Sequence, residues 1–152
     1  MTSVEVVRTY PHPIELVWRA ITTRELLAEW LMENDFEPRV GHGFTFRTEP
    51  GPGFDGVVRC VVLALEPPAQ SGAASMRLSW KGGPIDTTVV FDLRSEPGGT
   101  RFTMTQSGFR GLKAWLVSRI LKAGCKKLYG KRLPAVLARL AAAEARSESI
   151  KP

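Results

Sequence analysis

Cysteine and histidine are scarce in this chain of 152 residues, with two of each. His12 sits between Pro11 and Pro13, and His42 between Gly41 and Gly43, so both read as exposed turn residues. Neither has a carboxylate or thiol at metal-ligand spacing, so no metal site and no cofactor are expected. Cys60 falls in a run of β-formers and Cys125 in a helical stretch. Both read as buried, reduced thiols of a cytoplasmic chain rather than as a disulfide. No apolar run approaches the length of a membrane span, and MTSVEVVRTYPHP lacks the basic start and continuous apolar core of a signal peptide. Catalytic motifs are missing too. Ser107 precedes Gly-Phe rather than standing in a Gly-x-Ser-x-Gly elbow, Gly41-His42-Gly43 does not extend into a phosphate loop, and Asp35, Asp55 and Asp86 are scattered. No catalytic residue is assigned.

Acidic residues are absent from one long stretch. Nine basic residues and no acidic one occur from Arg110 to Arg139, whereas the rest of the chain is mildly negative; the net charge is +6. That asymmetry raises nucleic acid as a partner, but nucleic-acid binders usually add aromatics interleaved with the charge or a groove-reading helix, which Tyr129 alone does not supply, so none is expected.

What the chain does contain is alternation. Val89, Phe91 and Leu93 alternate with Val90, Asp92 and Arg94, and Phe102, Met104 and Gln106 with Arg101, Thr103 and Thr105. A period of two predicts two strands, joined by a turn in which Gly98 and Gly99 supply positive φ. Similar patterns predict strands over Val4–Tyr10, Phe36–Val40, Phe44–Thr48, Val57–Leu65 (with a bulge near Val62-Leu63) and Met76–Trp80. Pro13 suits the first turn of a short helix carrying Ile14, Val17, Trp18 and Ile21. Thr22-Thr23 ends it and caps a second, with Leu26, Leu27, Trp30 and Leu31. PGPGFDG, residues 50–56, is a loop by composition.

A long final helix puts Leu116, Val117, Ile120, Leu121, Gly124 and Leu128 on one face and Arg119, Lys122 and Lys126 on the opposite one. Beyond Tyr129 the apolar set becomes Leu133, Val136, Leu137 and Leu140, rotated from the first, so a kink or phase break is expected at Gly130–Pro134. The order predicts an α+β fold, with helices on one face of an antiparallel sheet. One domain over residues 1–146 is expected, with a disordered tail over 147–152.

The chain resembles the START-like, helix-grip (SRPBCC) superfamily, and within it the small bacterial proteins similar to the activator of heat-shock-protein-90 ATPase. The residues that carry this are Pro13…Val17-Trp18-Arg19-Ala20, Leu26-Leu27…Trp30-Leu31, Asn34-Asp35-Phe36-Glu37-Pro38, Phe44-Thr45-Phe46-Arg47, Leu78-Ser79-Trp80, Gly98-Gly99-Thr100, Ser107-Gly108-Phe109 and Arg132-Leu133-Pro134-Ala135-Val136-Leu137. The resemblance implies about seven antiparallel strands curved around the C-terminal helix, two short helices after the first strand, and a cavity between sheet and helix. Where such proteins carry Gly-Trp in the last helix, this chain has Gly124-Cys125. The implied cavity is therefore roomier at that end, or repacked by Trp115.

The leading functional expectation is a binding module for a small, largely apolar ligand, walled by Trp30, Phe46, Trp80, Met104, Gln106, Phe109 and Trp115. The aromatics and Met104 stay open between core packing and cavity lining. Gln106, an amide on an apolar face, either satisfies a group at the strand end or orients a ligand together with Trp80. A second reading is an enzyme similar to the helix-grip aromatase/cyclases, with Asp86 or a bound water moving the proton. In a third, Arg119, Lys122, Lys126 and Lys127 hold a chaperone or another acidic protein partner, or an anionic headgroup. A monomer or a homodimer is compatible with all three.

Overall fold

The computed structural model describes residues 2–150, with side chains described from Ser3 to Glu148. A first strand, β1 (Thr2–Tyr10), leads into two short helices, α1 (Ile14–Ile21) and α2 (Arg24–Trp30). Six strands follow: β2 (Glu33–Asn34), β3 (Gly43–Arg47), β4 (Val57–Glu66), β5 (Ala73–Gly82), β6 (Ile85–Glu96) and β7 (Gly99–Phe109). The chain ends in a long helix made of α3 (Gly111–Lys127), one π turn over Leu128–Arg132, and α4 (Leu133–Ile150). All seven strands form one antiparallel sheet in the order β1-β7-β6-β5-β4-β3-β2, so the first strand closes onto the last. This is the α+β helix-grip arrangement, with the helices against the concave, apolar face.

The alternating patterns place that face. Val89, Phe91 and Leu93 of β6 and Phe102, Met104 and Gln106 of β7 are buried, and Asp92, Arg94 and Arg101 between them are exposed. The expected bulge in β4 is a register shift between Val62 and Ala64, which reverses the parity so that Leu65 still packs on the core. A second bulge at the end of β7 pairs Thr2 with Phe109 but Ser3 with Ser107. Gly108 takes φ +101° there, a conformation that glycine adopts without a side-chain clash, and Phe109 turns inward as a result.

Two local expectations are corrected. The expected strand at Phe36–Val40 is replaced by the two-residue β2 just before it. Side chains take over the ladder's role here: Asn34 Oδ1 accepts the Phe36 N–H at 3.0 Å and Asp35 Oδ1 accepts the Thr45 N–H at 2.7 Å. The bond from the Thr45 N–H, above all, holds the Asp35 carboxyl below its ordinary pKa, and Pro38 has no N–H to extend a strand. In the β6–β7 turn only Gly98 has positive φ, at +83°. Gly99 instead starts β7 so close to β1 that a Cβ there would overlap the Tyr10 carbonyl oxygen. Thr22 and Thr23 do separate α1 from α2, although Thr23 occupies its N-cap position without a side-chain hydrogen bond.

Aromatic rings fill the core under the π turn. Tyr10, Phe91, Phe102, Tyr129 and Trp30 form a connected aromatic cluster with centroids 5.5–5.8 Å apart. The Tyr10 hydroxyl donates to the Tyr129 carbonyl at 2.6 Å, tying the end of β1 to the final helix. Burial pushes both phenols to higher pKa. The π turn sits at the expected phase break, with the Leu133 N–H reaching back to the Leu128 carbonyl. One extra residue in a turn withdraws roughly a residue's 100° of rotation. Leu133 and Leu137, out of phase in an uninterrupted helix, thereby return to the sheet side and become fully buried. α4 continues through Ile150, so residues 147–150 of the expected tail are helical, while 151–152 lie outside the described residues.

Both cysteines are free and buried. Burial raises the pKa of Cys60 to about 12 and that of Cys125 above its ordinary value. Because the thiolate is the reactive form, neither thiol is expected to react with a chromogenic disulfide reagent at neutral pH until denaturant is added. Raising the pH through a free thiol's pKa of about 8.5 should accelerate a small-molecule thiol control but not Cys60. Rapid native labelling of Cys125 would show that α3 opens away from the sheet.

Candidate functional site: an apolar cavity beneath the third helix

The sheet-facing side of α3 is built from small residues. Ala114, Ser118 and Cys125 are its buried positions, and the Ser118 hydroxyl is used within the helix, donating to the Trp115 carbonyl at 2.6 Å. Such a face cannot fill the space that the curved sheet leaves. The result is an apolar cavity of about 590 Å³ with a side open to solvent.

Val117, Leu121 and Leu116 of α3 form the roof, with Lys113 at the rim. Val58 of β4 and Trp80 of β5 come from the sheet, and Met32 comes from just beyond α2. The far wall is the β3–β4 loop with Phe54, packed on the β5–β6 turn with Pro84 and Ile85. Two hydrogen bonds between Gly51 and Phe54 close that loop into a tight turn. Gly82 and Gly83 let the hairpin tip approach it: a Cβ on Gly83 would come within 3.0 Å of the Gly53 carbonyl oxygen, and one on Gly82 within 3.3 Å of the Phe54 ring. Thr48 adds one hydroxyl to the wall.

Of the seven residues read from sequence as cavity wall, Trp80 lies on the lining. It ends an aromatic row through Phe46, Phe44 and Phe36, with centroids 5.2–5.3 Å apart. Phe46, Met104 and Phe109 are core residues at 1–4% exposure. Trp30 is wholly buried and donates its indole N–H to the Ala20 carbonyl at 2.9 Å. Gln106 donates to Thr87 Oγ1 at 3.0 Å, and Thr87 donates to the Trp80 carbonyl at 3.0 Å. That amide therefore fastens β7 to β6 and β5. Trp115 does not fold in to repack the helix beside Cys125. It is 41% exposed, with the Arg119 guanidinium 5.5 Å from its ring centre.

Met32, Phe54, Val58, Ile85, Val117 and Leu121 escaped the sequence reading as wall residues. For Phe54 a signal existed, a lone aromatic in a glycine- and proline-rich loop. Asp86 points outward, with its side chain 77% exposed and 4.0 Å from Lys81, and is absent from the lining. No cluster of His, Cys, Asp or Glu able to hold a metal ion occurs among the described residues. No helix among them is long and apolar enough to cross a membrane. Arg119, Lys122, Lys126 and Lys127 are exposed, and no carboxylate among the described residues pairs with them.

The chain is similar to several solved structures. Protein MLL2253 from Mesorhizobium loti is similar over 91% of this chain and 98% of its own, at 35% identity and a TM-score of 0.78. Protein BH1534 from Bacillus halodurans is 27% identical, covering 90% and 97% of the two chains, with a TM-score of 0.73. DynU16, a protein in the dynemicin biosynthetic locus, is 25% identical over 90% of this chain and 47% of its own, with a TM-score of 0.67. A search of curated proteins finds no match. Residues 11–138 match the family described as Activator of Hsp90 ATPase homolog 1-like protein, and with five-sixths of its length inside that match the chain belongs to this family.

Proposed function

We propose that the protein is a cytoplasmic binding module that holds a small, largely apolar molecule in the cavity between α3, the sheet and the β3–β4 loop. The observation that carries this reading is the cavity itself. Its volume of about 590 Å³ falls within the roughly 300–1,000 Å³ typical of small-molecule sites. Its wall is aromatic and aliphatic, with Thr48 and Lys113 as the polar side chains. An apolar body with one polar or anionic end fits that distribution, the end lying toward Lys113. Membership of the family and the structural likeness to relatives support a ligand-binding domain. The wall supplies no acid–base pair, and Asp86 lies off it, so nothing in the geometry favours the enzymatic reading.

The test is titration with an environment-sensitive naphthalene sulfonate dye, beside native mass spectrometry of freshly purified protein. Val117→Trp projects an indole into the cavity and is expected to weaken dye binding at least about tenfold, with the denaturation midpoint nearly kept. Unchanged dye affinity in a folded Val117→Trp protein would remove the cavity as the binding site.

A further inference from the structure

The broad apolar arc of α3 is shared between two environments. Val117 and Leu121 turn to the cavity, while Leu112 (73% exposed), Leu116 (49%) and Ile120 (70%) face solvent. At 100° per residue these three form a stripe along the outer side of the helix. Arg119, Lys122 and Lys126 flank it on one side and Lys113 on the other, and Lys127 continues its line toward the C-terminal end of α3. Trp115 stands at the boundary, half-exposed, under the Arg119 guanidinium. No acidic residue lies between Arg110 and Arg139 to neutralise this face.

We infer that the outer face of α3 docks on an anionic phospholipid surface, with Leu112, Leu116 and Ile120 entering the headgroup–acyl boundary and the flanking cations pairing with lipid phosphates. A helix with an apolar stripe, a Lys/Arg-rich border and tryptophan at the edge is the pattern that lies in a membrane interface. The stripe is a convex ridge, which a deformable lipid surface accommodates directly. A second copy of the chain is disfavoured, because an antiparallel two-fold contact between these helices would bring the rows of Arg119, Lys122 and Lys126 together, and a parallel one would set that row against Lys113. The docked face also borders the cavity: Leu116 and Lys113 belong to both. The docking itself does not depend on any cavity ligand.

The experiment is co-sedimentation with vesicles of phosphatidylcholine alone and of phosphatidylcholine mixed with phosphatidylglycerol, across a salt series. Binding is expected to the mixed vesicles and not to the neutral ones, weakening as salt rises. Each cation removed by Lys122→Ala or Lys126→Ala should weaken it about fivefold, and Ile120→Glu at least about tenfold. Ile120 is exposed, so its variant should keep the wild-type circular dichroism and melting curve. Lack of binding to the mixed vesicles overturns the proposal, as does equal binding to both kinds. Binding lost in the lysine variants but kept in Ile120→Glu would reduce the contact to charge alone and also overturn it. Self-association without vesicles, abolished by Ile120→Glu, would assign the face to a second copy of the chain instead.

Discussion

Trp30→Ala is expected to remove about 3–5 kcal/mol of folding stability, a large share of the roughly 5–15 kcal/mol that holds a domain of this kind together. Three effects add at this position. The side chain has no solvent exposure, so its removal leaves a cavity where α1, α2 and the π turn converge. The indole N–H satisfies Ala20, whose carbonyl is among the last four of α1 and has no partner of its own within the helix. The ring also packs on Tyr129, 5.5 Å between centroids, a contact worth about 0.5–1.5 kcal/mol beyond its buried area. Trp30→Phe should keep most of the packing and lose chiefly the hydrogen bond, about 1 kcal/mol. Trp18→Ala, at a half-buried position, serves as the comparison. Urea unfolding read by circular dichroism separates the three, and a midpoint for Trp30→Ala no lower than for Trp18→Ala would show that Trp30 is not a keystone of the core.

Leu137→Ala should cost about 2–5 kcal/mol, whereas Ile120→Ala should change stability by less than about 0.5 kcal/mol. Both are large aliphatic residues of the same long helix, and hydropathy does not distinguish them. The π turn does. It brings Leu133 and Leu137 onto the sheet at 0% exposure, while Ile120, earlier in the same helix, lies 70% exposed on the outside. α4 is further strapped by Arg139 to Glu29 of α2 at 2.6 Å and by Arg19 of α1 to Glu144 at 3.1 Å. Those exposed pairs add little beyond orientation, so the leucine should dominate. The same denaturation series checks the pair. Equal losses at the two positions would mean that α3 packs on the sheet through its aliphatic face, closing the cavity described here.

Much of this protein was determined by its sequence alone. Runs of β-formers, most of them alternating with a period of two, located every strand except β2, since an alternating extended segment presents one apolar face to a core. The two prolines at 11 and 13 and the threonines at 22 and 23 bounded the short helices. The bulge in β4 announced itself as an apolar run too long to alternate, and the phase break in the last helix as an apolar set rotated across Pro134. The ordered motifs led to the family. Side-chain destinations within an apolar face were another matter. Gln106 stood on the inward side of β7, as its alternation required, but only the packed sheet brought Thr87 within 3.0 Å to hold it. Trp30 and Phe46 looked as suited to a cavity wall as Trp80 did, because periodicity reports which side a residue faces and not how far the opposite layer stands away.

That distance was decided by tertiary structure. α3 meets the sheet through Ala114, Ser118 and Cys125 rather than through its broader aliphatic arc, and the β3–β4 loop folds its Phe54 against Gly82. Together these make a hollow in one half of the interface while the π turn and α4 fill the other. Sequence pattern is local, set by chirality and hydrogen-bond period over a few residues. A cavity is the mismatch between two surfaces far apart in the chain, and only the assembled layers contain it.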